Sequence, residues 1–174
     1  MPKDPHTSKS ISKDSESLLR DLISETKGLL YQHLTRMVGN HEDTADLLQE
    51  TYIRAWKNLD SFKGESKMST WVFRIATNLA LTHIEKTKRK STISIDNQIH
   101  VRASADGPDA EDILNKVDQA MDTLPPKQKQ VFIMRYYDEL PYEEMSHLTS
   151  TSTGALKASY HHAVKKIEDF LTSH

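Results

Sequence analysis

Residues 141–171 read PYEEMSHLTSTSTGALKASYHHAVKKIEDFL, and their pattern decides the fold class. Pro141, Tyr142, Glu143, Glu144 and Met145 open a short helix, and Thr149 to Ser152 form a polar turn with nothing apolar to bury. A longer helix follows, in which Leu156, Tyr160, Ala163, Val164, Ile167 and Leu171 recur at helical spacing and make one inward stripe. Gly154, Ala158, His161, His162 and Lys165 then point outward, with Lys157 at the border. Helix, tight turn and helix, with small and basic residues outward, suits an element that lies close in a DNA major groove. Taken alone, the segment fits an antiparallel helix pair with a solvated outer face equally well.

The same helical periodicity runs through the rest of the chain, strand-like alternation is weak, and no internal repeat is visible. Upstream of the quoted stretch, helices are expected over about Asp109 to Met121 and Pro126 to Tyr137, with Pro126 at the first helical position. Between Ser91 and Pro108 the pattern fails and Ser, Thr, Asp, Asn, Gly and Pro take over, which marks a linker and a domain boundary. Before it, one helix spans about Glu16 to Val38 and stops at Gly39-Asn40, and a second spans about Glu42 to Leu59. A loop over Asp60 to Ser69, containing Gly64, leads to a third helix with Thr70 as its N-cap. The expected architecture is all-α: a disordered tail over 1–15, a helical domain over 16–90, a flexible linker over 91–108 and a second helical domain with the helix-turn-helix over 109–174.

Composition narrows the function. The chain has 174 residues, 36% of them hydrophobic, enough for modest helical cores. It contains no cysteine, which excludes disulfides, thiolate zinc sites and a cysteine nucleophile and fits a reducing cytoplasm. Met1 to Ser17 lack the apolar run of a secretory signal and no later segment reads as a membrane span, so a cytoplasmic protein without membrane insertion is expected. The net charge of −2 argues against gripping bare DNA alone, since that affinity comes from neutralising phosphates. Charge is segregated instead: Lys86, Lys88, Arg89 and Lys90 form a basic run, and Glu42, Asp43, Asp46 and Glu50 an acidic cluster. His147, His161 and His162 do not make a metal site, because adjacent helical residues cannot face one ligand point and no HExxH pattern is present. No catalytic constellation, cofactor motif or metal-ligand spacing stands out.

In the second helix Ala45, Leu48, Tyr52, Ala55 and Leu59 are expected to face inward, which leaves Leu47 outward among Asp43, Asp46, Glu50, Arg54 and Lys57. An apolar residue among charges reads as an interface, or as a stray leucine on a solvated face. In the third helix Val72, Ile75, Ala76 and Leu79 define the buried side, while Trp71, Arg74, Asn78 and Thr82 share another. An aromatic plane, a guanidinium and an amide together suit single-stranded DNA, offering stacking, a phosphate contact and a hydrogen-bonding edge for an unpaired base. The loop Phe62-Lys63-Gly64-Glu65-Ser66-Lys67 adds an aromatic and two lysines beside them. A tryptophan at a core boundary is the plainer reading of Trp71 taken singly.

These segments, in this order and spacing, resemble the extracytoplasmic function type of bacterial sigma factor, over nearly the whole chain past the tail. Residues 46–56, DLLQETYIRAW, are similar to that family's polymerase-docking helix, and residues 61–66 with 70–80 to its promoter-melting segment. Leu124-Pro125, Tyr142 to Met145 and Gly154 to Lys157 are similar to its promoter-reading helix-turn-helix. The resemblance implies that Asp46, Leu47, Gln49, Glu50 and Arg54 dock on bacterial core RNA polymerase. It implies that Phe62, Lys63, Ser66, Lys67, Trp71, Arg74 and Asn78 capture a flipped base of the minus-ten element, with Lys86, Lys88 and Arg89 holding phosphates. Thr151, Ser152, Thr153, Lys157 and His161 would read the minus-thirty-five element, and acidic linker residues Asp96, Asp106 and Asp109 would lie near the RNA path. Core polymerase and promoter DNA are the implied partners, with an anti-sigma factor as a further one. Ser159 departs from the family, which often has an arginine there, so charge on the reading helix is low. The near-neutral net charge fits a subunit whose polymerase supplies most phosphate contacts. The alternative is a stand-alone helix-turn-helix regulator that binds operators as a dimer.

Overall fold

The computed structural model describes residues 13–93 and 110–173, so the expected tail and linker fall almost wholly outside the described residues. Helices α1 (Lys13–Val38), α2 (His41–Lys57) and α3 (Met68–Ile93) make the N-terminal half. Helices α4 (Ala110–Asp122), α5 (Pro126–Phe132), α6 (Tyr142–Thr149) and α7 (Thr153–Ser173) make the C-terminal half. A short 3-10 turn, Leu59–Ser61, precedes the loop to α3, and α5 continues as a π-helical turn over Ile133–Tyr137. No strand occurs among the described residues, and no helix there is long and apolar enough to cross a membrane.

Local chemistry explains the element ends. The chain leaves α1 at Gly39, whose φ of +82° suits glycine, and Asn40 then caps α2. The Asn40 side-chain oxygen accepts from the Asp43 amide at 2.8 Å while its amide donates to the Asp43 carboxylate at 2.7 Å, a reciprocal cap that stabilises the helix by about 1 kcal/mol. Asp43 also meets His83 of α3 at 3.1 Å, so this member of the acidic cluster is already engaged within the half. Pro126 stands in the first turn of α5 as expected. Helix α3 starts at Met68, before the anticipated Thr70: the Trp71 amide donates to the Lys67 carbonyl at 3.1 Å, and the Thr70 hydroxyl turns to Glu144 of α6 instead of capping.

The buried stripe of α2 differs from the sequence expectation. It consists of Thr44, Leu47, Leu48, Thr51 and Ala55, while Ala45 is exposed and Tyr52 half-buried. Leu47, expected to point outward, is only 9% exposed. The stripe is rotated because two threonines occupy core positions that a hydropathy reading assigns to solvent. Each hydroxyl is satisfied inside its own helix, Thr44 on the Asn40 carbonyl at 2.6 Å and Thr51 on that of Leu47 at 2.7 Å, so the methyls can be buried without an orphaned donor. In α3 the expected Val72, Ala76 and Leu79 are buried, joined by Thr77 and Ala80, and Ile75 is half-buried.

The two halves pack on each other. One apolar cluster runs from Leu30, Leu34 and Met37 of α1 through Val72 and Ala76 of α3 to Met121, Phe132, Ile133 and Ile167 of the C-terminal half. A second holds α6 to its neighbours through Val131, Met134, Met145, Leu148 and Leu156. At the junction, His33 of α1 is fully buried, with Nδ1 2.7 Å from the Asp138 carboxylate and Nε2 3.1 Å from the Thr77 hydroxyl. The Phe73 ring lies 4.5 Å from the His33 ring, and the Arg36 guanidinium sits 4.4 Å over the Tyr137 ring. Burial of the described side chains leaves no polar side-chain atom without a hydrogen-bond partner among them.

Candidate nucleic-acid and polymerase interface

On the outer face of α2, Asp46, Gln49 and Arg54 are exposed, and Arg54 Nε donates to Glu50 Oε1 at 2.7 Å. The apolar component of this face is not Leu47. It is Ile53, 40% exposed, which lines an open groove of about 360 Å³ with Leu19, Gln49, Tyr52 and Trp56. The Tyr52 phenol shares a hydrogen bond with Thr26 at 2.9 Å, and burial raises its pKa above the ordinary tyrosine value despite that bond. An acidic and amide surface with one exposed branched aliphatic is suited to a protein partner that brings basic and apolar groups.

Between α2 and α3 lies a pocket of about 470 Å³. Helix α3 supplies Trp71, Asn78, Thr82 and Lys86, helix α2 supplies Arg54 and the following Asn58, and Leu47 contributes to the wall. The periodicity of α3 brings Trp71, Asn78, Thr82 and Lys86 onto one side, at intervals of seven, four and four residues. Trp71 is half-buried with its ring 5.4 Å from that of Phe62, so the loop aromatic braces the tryptophan. Lys63, Ser66 and Lys67 are exposed on the loop, and Lys88 and Arg89 on the last turns of α3. Arg74 is exposed but outside the pocket, with its guanidinium 3.4 Å from the Ser150 hydroxyl in the C-terminal half. The structure therefore brings Trp71, Asn78 and Lys86 together with Arg54 and leaves Arg74 apart.

Helices α6 and α7 meet at Ser150, whose left-handed φ of +53° ends α6. Ser152 then starts α7: its hydroxyl oxygen accepts the Ala155 amide at 3.3 Å and its carbonyl the Leu156 amide at 3.0 Å. Thr151 is half-buried with its hydroxyl on the Thr149 carbonyl at 3.2 Å, and Thr153 is half-buried at the helix start. Lys157 and His161 are exposed on α7, the His161 ring 6.0 Å from that of His162. Lys157 Nζ stands 5.6 Å from the Tyr142 ring centre, and the Arg135 guanidinium stands 5.2 Å from the same centre. Arg135 is held by the Leu140 carbonyl at 3.2 Å. A Cβ added at Gly154 would meet nothing within 4 Å, so the fold does not require glycine there.

Comparison with known proteins bears on both halves. The model of Sigma-70 region 2 matches residues 22–90 and that of Sigma-70 region 4 matches residues 114–167. The ECF RNA polymerase sigma factor SigW of Bacillus subtilis strain 168 is 32% identical over 167 residues, covering 88% of this chain and 88% of the relative. The chain belongs to the ECF sigma-factor family. Two solved structures share its fold. The sigma factor RpoE, in complex with the anti-sigma factor NepR from Bartonella quintana, superposes with a TM-score of 0.68 at 21% identity, over 92% of this chain and 98% of that one. CnrH, in complex with the cytosolic domain of CnrY, does so at 0.69 and 18% identity, over 91% and 90%.

Two features of this sigma factor escaped the sequence reading. Ile53 carries the exposed apolar surface on α2, and its place four residues after Gln49 was the available signal. Arg135, in the π-helical turn after α5, joins Lys157 at Tyr142, although nothing in the linear sequence sets it apart from any other arginine on a helix surface.

Proposed function

We propose that this sigma factor directs transcription initiation by docking α2 on bacterial core RNA polymerase, seating an unstacked minus-ten base between α2 and α3, and reading the minus-thirty-five element with α7. Asp46, Gln49, Glu50, Ile53 and Arg54 form the docking face. The observation that carries the reading is the α2–α3 pocket, where an indole plane, an amide and two cations, Arg54 and Lys86, line one cavity of about 470 Å³. That combination stacks a base, hydrogen-bonds its edge and neutralises the adjoining phosphates. Lys63, Lys67, Lys88 and Arg89 extend the phosphate contacts, and Ser66 and Phe62 shape the mouth. In the C-terminal half Lys157, His161 and the Thr151 to Thr153 turn face DNA. Arg135 adds a cation to that face, and Gly154 fits close approach to the backbone of a duplex, since packing within the chain leaves its position open.

In this reading residues 16–90 work as the polymerase-docking and minus-ten unit, 109–174 as the minus-thirty-five unit, and 91–108 as their connection. The sigma factor supplies recognition in the cytoplasm and leaves phosphoryl transfer to polymerase. The binding of RpoE to NepR supports an anti-sigma factor as a further partner. The test is promoter opening followed by the fluorescence of a base analogue in the minus-ten element. Asn78 is exposed, so Asn78→Ala should lower opening about tenfold, the scale of one lost base-edge contact, while polymerase binding stays near wild type. Equal loss of both would show Asn78 to be a folding residue.

A further inference from the structure

Asn58, Ser61 and Thr82 all line the α2–α3 pocket, and each has already given a hydrogen to the backbone. Asn58 ends α2, and its Nδ2 donates to the Arg54 carbonyl at 2.8 Å. The Ser61 hydroxyl donates to the Asn58 carbonyl at 2.6 Å, and the Thr82 hydroxyl to the Asn78 carbonyl at 2.9 Å. Chemistry fixes these directions, because a backbone carbonyl only accepts. The amide nitrogen of Asn58 therefore faces the end of α2, which leaves Oδ1 on the other side of the amide. Ser61 and Thr82 each have one hydroxyl hydrogen, and with it engaged they present lone pairs. The corner that carries Asn58 and Ser61 is also held through its backbone. There the Asn58 amide donates to the Arg54 carbonyl at 3.0 Å and the Ser61 amide to the Asn58 carbonyl at 2.9 Å.

The remaining polar groups of the pocket do not offset this bias toward acceptors. Arg54 and Lys86 are cations and are drawn to phosphates, Trp71 offers its plane, and His83 is engaged with Asp43 at 3.1 Å. The Asn78 amide can offer either an oxygen or an N–H to a base. The edge of a seated base thus meets an excess of lone pairs. Cytosine, adenine and guanine carry an exocyclic amine from which those lone pairs accept. Thymine and uracil carry two carbonyl oxygens around a single N–H, and their oxygens would meet the same lone pairs with no hydrogen between them. A site whose polar groups are left unpaired by a ligand discriminates against it.

We propose that Asn58 and Ser61, assisted by Thr82, make the α2–α3 pocket select a base with an exocyclic amine against thymine or uracil. This inference rests on the base-binding role given to the pocket above. The test titrates the full-length protein, at one fixed low salt concentration, with fluorescein-labelled oligodeoxycytidine and oligodeoxyuridine of about twelve nucleotides. These strands share their backbone and differ in the ring only by an amine in place of a carbonyl and the N3 proton that goes with it. The cytidine strand should bind about fivefold more tightly, the scale of one net hydrogen bond. Asn58→Ala should bring the ratio below about twofold by weakening the cytidine strand, and Ser61→Ala should fall between, both with unchanged helical circular dichroism. A role for Asn58 only in capping α2 would instead weaken both strands together and leave the ratio intact. Equal wild-type affinities, or a ratio unmoved by Asn58→Ala, would overturn the proposal. Trp71→Leu removes the stacking plane and should weaken both strands about tenfold. If it weakens neither, the pocket does not seat a base, and the function proposed above fails instead.

Discussion

Exchange of two aliphatic side chains on α2 separates packing from docking. Leu47 is 9% exposed and belongs to the main apolar cluster, whereas Ile53 is 40% exposed and lines the outer groove. Leucine-to-alanine substitutions in cores cost about 2–5 kcal/mol, depending on how far the site collapses. Leu47 borders the open α2–α3 pocket, so water can enter the vacated space and the cost should lie near the lower end, about 2–3 kcal/mol. For a chain of this size that lowers Tm by about 4–12 °C. Ile53→Ala should cost under about 1 kcal/mol, because much of its side chain is already hydrated. At the polymerase interface the ranking reverses. Ile53→Ala should weaken binding about tenfold, as an apolar anchor that is desolvated only in the complex, while Leu47→Ala, measured well below its Tm, should stay within about twofold. The assay is thermal unfolding by circular dichroism paired with titration of core polymerase. A stable Leu47→Ala protein that binds polymerase poorly, beside a destabilised Ile53→Ala protein that binds normally, would refute the assignment.

Other consequences follow from the same geometry. Lys157→Ala should weaken promoter binding by the holoenzyme and reduce the salt dependence by about one counterion, as expected on removal of a phosphate contact; an unchanged slope would place Lys157 away from the backbone. Burial raises the pKa of Tyr52, Tyr137 and Tyr160 above the ordinary tyrosine value, with Asp118 adding to the rise at Tyr137 and Tyr142 at Tyr160. Since the folded state holds these phenolic protons more tightly than the unfolded chain, their contribution to stability is complete below pH 10 and is lost as pH rises through the folded values. Absorbance titration near the phenolate band should show these tyrosines ionising late, together with or after unfolding; ionisation at ordinary values in the native protein would mean that they are solvated.

Helix order and the helix-turn-helix were legible because they rest on local signals: the Gly39-Asn40 stop, Pro126, the polar turn at Thr149 to Ser152 and the stripe from Leu156 to Leu171. The buried face of α2 is rotated from the one hydropathy indicates, because Thr44 and Thr51 bury their methyls while bonding their hydroxyls backward, an option that hydropathy does not register. The start of α3 is not legible, because Thr70 resembles a cap, whereas its hydroxyl donates to Glu144, distant in sequence. The junction between the halves could not have been read at all. His33, Thr77 and Asp138 are ordinary polar residues in the linear sequence, and only the folded chain sets Asp138 2.7 Å and Thr77 3.1 Å from the two ring nitrogens of His33. Trp71 and Asn78 of the pocket are legible on one side of α3, but its α2 wall is not, because periodicity alone turns Leu47 and Arg54 to the outer surface.

A polymerase subunit and a free-standing DNA-binding regulator differ first in whether the chain binds core polymerase. Fluorescence anisotropy of the labelled full-length protein, titrated with purified bacterial core RNA polymerase, tests it directly when an unlabelled primary sigma factor serves as competitor. A sigma subunit should bind saturably, at polymerase concentrations well below micromolar, and the competitor should reverse that binding. A folded, inhibitor-free sample that shows no binding at micromolar polymerase, yet dimerises and binds duplex DNA by itself, would contradict the subunit assignment.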